Sequence, residues 1–136
     1  MATRFIKIAV LYLALGVTLG VVMGALQKFT FTPVHAHLNL LGWASLALIG
    51  LVYHAFPQAA ETRLAHIHFW IHNLGLPPLM IALALMLAGN AALEPVVGIL
   101  SVVVWLGVIL FVVNVWLAVR PAPAALRAPA RAVATP

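Results

Sequence analysis

The sequence contains no cysteine. That excludes disulfides, thiolate metal sites, iron–sulfur clusters and covalently attached c-type heme. Acidic residues are nearly as scarce, with Glu61 and Glu94 the only two in 136 residues. Both lie between apolar runs, so a carboxylate relay inside a bilayer has nothing to build it. Charged residues of both signs make up 7% of the chain, against roughly 25% in a soluble domain. So few charges cannot cover a water-facing surface. The formal charge of +5 does not indicate a nucleic-acid partner. The basic residues sit at the chain ends and beside apolar runs, which is the pattern of membrane topology.

What the chain does have is hydrophobic length, 65% of its residues being apolar. Four stretches are long enough to cross a bilayer, which takes about 20 residues. They run from Phe5 to Leu26, Val34 to Phe56, Ala65 to Ala88 and Val96 to Val119. The first has Arg4 and Lys7 at its start, as a signal peptide would. It is longer than a signal's apolar core of about 7–15 residues, and no small-x-small cleavage site follows, so it reads as a membrane helix. The connections are short, which predicts antiparallel neighbours.

The expected fold is therefore an all-α integral membrane protein, a four-helix up-down bundle within residues 1–120. The tail 121–136 is Ala, Pro and Arg and is expected to be a disordered cytoplasmic segment. With both termini inside, Arg4, Lys7, Arg63, Arg120, Arg127 and Arg131 lie inside, and only Lys28 outside. That asymmetry predicts a multi-pass protein of a bacterial-type inner (cytoplasmic) membrane, with the lipid bilayer as its solvent. Gly16, Gly20 and Gly24 share one face of the first helix, where another helix or a flat cofactor can approach the backbone. Pro77 and Pro78 fall mid-helix and predict a kink in the third.

Six histidines are the candidate functional groups, because ionisable side chains in lipid are costly and neutral imidazole is the commonest metal and heme ligand. His35 and His37 open the second helix at the outer face. His54 ends it at the inner face, where His66, His68 and His72 open the third. From His37 to His54 is about 25 Å at 1.5 Å per residue, too far for one metal. Two residues along a helix turn about 200°, so His35 and His37 point to opposite sides and each needs a ligand from elsewhere, most simply another subunit. Asn39, one turn beyond His35, is placed to hydrogen-bond around it. His68 and His72 form an i, i+4 pair suited to chelation or to a ligand with a polar support, with His54 across a short loop. His66 faces elsewhere, and His72 is the deepest. Cofactor candidates are thus His35, His37, His68 and His72, and metal-ligand candidates add His54. Trp43, Tyr53, Phe69 and Trp70 lie around them as porphyrin-packing or ordinary core aromatics.

The segment His35-Ala-His37-Leu-Asn-Leu-Leu-Gly42-Trp43, continuing to Tyr53-His54-Ala-Phe-Pro57, resembles the second helix of the catalytic subunit of heme–copper oxidases. The cbb-type oxidases and nitric oxide reductases are the nearest branch. The third helix, with His68-Phe69-Trp70 and Gly75-Leu76-Pro77, is similar to short relatives of that subunit, so the resemblance covers roughly residues 34 to 88. It implies that His35 ligates a low-spin heme. Ala36 and His37 stand where the family has a small polar pair, and the copper-site histidines and cross-linked tyrosine have no counterpart. The family subunit has twelve helices in three similar four-helix arcs about a pseudo-threefold axis, which implies that this chain forms a homotrimer. Its His-x-His, serving two hemes, implies a b-type heme held between His35 of one protomer and His37 of the next. The expected function is a heme b protein of electron transfer, with a redox partner, or of binding or reducing oxygen or nitric oxide. Copper is a possible second metal. Alternatives are a histidine-based copper or zinc binder or transporter, and a small subunit or assembly factor of a respiratory complex.

Overall fold

The computed structural model describes residues 1–119, and the tail expected to be disordered lies outside them. The described residues contain helices and no strand. Four helices are long and apolar enough to cross a membrane: Ala2–Leu26, Thr32–Ala55, Arg63–Leu87 and Ala91–Ala118. At 1.5 Å per residue each exceeds the roughly 30 Å hydrocarbon core. Every helix starts a little before the apolar stretch read from the sequence, and the third alone of the four has a side-chain cap at its start. Thr62 caps the third helix, its Oγ1 accepting from the Ala65 N–H at 3.0 Å. Pro33 and Pro95 occupy first turns, where a missing N–H costs nothing. The first helix stops at Gln27, which adopts a left-handed φ of 52°.

The second helix is not uniform. It is α-helical over Thr32–His37, π-helical over Leu38–Ala44, and α-helical again over Ser45–Ala55. The Ser45 N–H reaches back five residues to the Leu40 carbonyl. Buried positions in this part recur every four residues, at Val34, Leu38, Gly42 and Leu46. The wider π turn keeps them on one face where an α-helix would let them drift. The third helix runs unbroken across Pro77 and Pro78, which are both exposed.

Missing side chains set the helix pairing. A Cβ on Gly16 would strike Asn39, one on Gly20 would strike His35, one on Gly42 would strike Tyr12, and one on Gly50 would strike Ile6. As numbers rise in the first helix they fall in the second, so these two run antiparallel at close range. Gly75 against Val103 and Val104, and Gly107 against Ile71 and His72, do the same for the third and fourth. The two pairs meet around Phe5, Tyr53, His68 and Phe111. The outer surface is apolar, including Leu15, Leu48, Leu74 and Ile99, and Trp116 is 85% exposed. Such a surface suits lipid or another apolar partner.

Candidate functional site

The histidines divide into two environments. His35 is half-buried and lies flat against the first helix, its Nδ1 2.8 Å from the Gly16 carbonyl oxygen. A carbonyl only accepts, so Nδ1 carries the proton and donates, which leaves Nε2 with a free lone pair. The ring fits because Gly20 has no side chain: a Cβ there would stand 2.7 Å from His35 Cε1. Asn39 Nδ2 donates to the His35 carbonyl at 2.8 Å. Its 3.4 Å approach to His35 Nδ1 sets one N–H donor against another and is not a hydrogen bond.

His37 faces the other way. It borders a groove with Leu41 of its own helix, Leu79 of the third, and Ser101, Val104 and Trp105 of the fourth. Its Nδ1 donates to the Pro33 carbonyl one turn back at 2.7 Å, so its Nε2 is also free and the side chain is exposed. His35 and His37 thus present two imidazoles with free Nε2 atoms on different sides of one helix.

His68 and His72 are both completely buried. Phe5 stacks on His68 with ring centroids 5.3 Å apart, Phe111 stands at 5.5 Å, and His72 meets it edge-on at 5.7 Å. A polar chain leads into this cage. Thr62 Oγ1 donates to Asn114 Oδ1. Asn114 Nδ2 donates to the Ala59 carbonyl at 2.8 Å and to the Tyr53 hydroxyl at 3.2 Å. The Tyr53 hydroxyl, having accepted that proton, turns its own toward His68 Nδ1 at 3.4 Å. At the far end His72 Nε2 donates to the Leu41 carbonyl at 3.1 Å. His68 Nε2 and His72 Nδ1 have no hydrogen-bond partner.

The remaining histidines stand apart. His54 and His66 are exposed, and His66 Nδ1 bonds only the Thr62 carbonyl of its own turn. No group of three metal-ligating side chains forms among the described residues. His54, taken from the sequence as a companion of His68 and His72, is not brought into their cage. Of the aromatics, Tyr53 and Phe69 are core and Trp70 is 56% exposed.

Three contributors escape sequence reasoning: Asn114, Thr62 and the π turn. Asn114 carried a legible signal, since only it and Ser101 offer polar side chains of hydrogen-bonding size in the apolar run from Val96 to Val119, and a polar residue within a membrane helix seeks a buried partner. Thr62 also has the N-cap signature. The π turn has no composition marker. No protein-family profile, curated protein or solved structure matches the chain.

Proposed function

We propose that this chain is a heme b-binding membrane protein that works in electron transfer, built as a homotrimer in a bacterial-type inner membrane with both termini on the cytoplasmic side. Its helices form an up-down bundle, and each heme lies between His35 of one copy and His37 of the next. The observation that carries this reading is the tautomer of the outer pair. Both imidazoles give their Nδ1–H to a main-chain carbonyl, of Gly16 and of Pro33, and so hold a free Nε2. This is the arrangement in which ligating histidines are oriented. The donor chemistry therefore fits heme iron, which when bound supplies one-electron redox chemistry. The two rings diverge, so one copy would supply one histidine to each of two heme sites. The groove beside His37 is walled by Leu79, Val104 and Trp105, an apolar lining that suits a porphyrin face. The His68–His72 cage is filled by protein rings, so the outer pair is the better seat. Two axial histidines favour electron transfer over binding of oxygen or nitric oxide.

The test is a visible spectrum of the detergent-purified protein, oxidised and dithionite-reduced, with a pyridine hemochrome and native mass spectrometry. A Soret band, sharp reduced α and β bands, and one heme per chain in a trimer are expected. A spectrum without a Soret band after heme supplementation overturns the reading.

A second reading rests on a different observation. His72 Nδ1 has an unpaired lone pair, and His68 Nε2 gains one in the tautomer whose Nδ1–H donates to the Tyr53 hydroxyl; in that tautomer the buried pair suits a copper or zinc ion. Elemental analysis separates the two, because this reading predicts bound metal without a porphyrin spectrum and loss of that metal in His68→Ala.

A further inference from the structure

We propose that His72 is a positioning residue for the outer histidines: its hydrogen bond to the Leu41 carbonyl holds the π turn that aims His35 and His37 in their two directions. The functional meaning of this role rests on the heme reading above, but the role itself does not.

The argument begins with the cost of the π turn. A π segment carries one more residue per turn than the chain around it needs. The α-helix is the better-bonded alternative, so a π turn persists where tertiary contacts hold it, and such turns recur at functional sites. Here the Ser45 N–H bonds Leu40 instead of Leu41. The Leu41 carbonyl accepts instead from His72 Nε2 at 3.1 Å. Returning Leu41 to an α pattern takes that carbonyl back into the helix and leaves the buried His72 N–H without an acceptor. In a protein interior that loss is unfavourable, so the bond favours the wide turn.

The geometric effect is large. One residue of an α-helix corresponds to a rotation of about 100°. Winding the same residues into an α-helix, with the extra one kept, turns everything before Leu38 by about that angle relative to everything after Ala44. Tyr53, Ile49 and Leu46 would keep their place in the core. His35 would leave Gly16 and Gly20, and His37 would leave the groove of Leu79 and Val104. His72 is itself anchored. It is completely buried, and its backbone lies against Gly107 of the fourth helix, where a Cβ would stand 3.5 Å from His72 N. A rigid donor on the third helix thus sets the rotation of the second helix's ligand-bearing half.

The cysteine-free chain allows a direct test without heme. Gly16→Cys with Asn39→Cys places two thiols where the first helix meets the π turn. In that background the disulfide is expected to form readily in membranes under mild oxidant. Adding His72→Leu should slow it roughly tenfold, because rotated Cβ vectors cannot be bridged. His72→Gln, which keeps an N–H donor, should restore most of the rate. Deleting the exposed Leu40 takes out the extra residue, so the turn should close as an α-helix with its flanks aligned and the crosslink should form whatever stands at position 72. Equal crosslinking in the natural and His72→Leu backgrounds overturns the proposal. So does solid-state NMR of 15N-histidine protein that finds His72 Nε2 without its proton, a measurement that needs no variant to fold. Where heme is bound, His72→Leu should shift the low-spin electron paramagnetic resonance signal and His72→Gln should return it. Absence of heme from every variant counts against the heme reading alone, since the crosslinking result still judges His72.

Discussion

At the level of single residues, much depends on atoms that are not there. Gly20 makes room for the His35 imidazole, and an added Cβ would lie 2.7 Å from His35 Cε1. Gly20→Val should therefore displace the ring, cost about 1–3 kcal/mol of stability through overpacking, and remove most heme. Denaturant titration and the Soret absorbance measure the two effects. Gly24, on the same face, has nothing within 4 Å, so Gly24→Ala is the matched control and should leave both unchanged. Asn114 is the opposite case, a residue whose value is its polarity. It bonds Thr62, Tyr53 and the Ala59 carbonyl at once. Asn114→Leu should destabilise the protein by about 1–2 kcal/mol, in line with hydrogen bonds between membrane helices. SDS titration measures that loss, and on Tyr53→Phe it should give a smaller one, because Asn114 then keeps two of its three partners.

At the level of helices, the pairing is a matter of small residues facing larger ones. Gly107 is open enough for a methyl group, since its Cβ would lie 3.4 Å from Ile71 and 3.5 Å from His72. Gly107→Ala should be nearly neutral and Gly107→Leu should cost about 1–3 kcal/mol, a contrast that thermal melts in detergent will read. The existence of four apolar helices was legible in the sequence because apolar runs of about 20 residues have one physical solution in lipid. So was the divergence of His35 and His37, which follows from their spacing of two. The glycine face of the first helix was recognised as a close-approach surface. Which group would approach was not legible, because that depends on Asn39 and His35 of another helix. The π turn was hidden for a similar reason. Leu38 to Ala44 has an ordinary helical composition, and its unusual turn depends on a donor 31 residues away. The exclusion of His54 from the buried cage was also illegible, since it depends on which side of the second helix packs inward: Tyr53 is buried and His54 beside it is exposed.

At the level of the whole molecule, the apolar exterior and the two diverging ligands bear on assembly. If neighbours share each heme, the interface is heterologous, with different patches meeting. Two inactive variants should then complement each other. His35→Ala copies retain His37, and His37→Ala copies retain His35. Each alone should lack heme. Co-expressed in equal amounts, they should regain about a quarter of the sites, as random mixing around a closed ring of heterologous contacts dictates. A reduced-minus-oxidised difference spectrum of the mixed preparation measures that fraction, and zero recovery would argue against shared sites. The polar chain from Thr62 to His68 carries a consequence for biogenesis. The first two helices hold their glycine contacts between themselves and can pair as soon as both have left the translocon. Tyr53 and Thr62 instead gain a partner 114 residues into the chain; before that, Tyr53 has His68 and Thr62 has the Ala59 carbonyl and the Ala65 N–H. Asn114 thus finds all three of its partners on earlier parts of the chain, so the last helix docks where those groups already stand together.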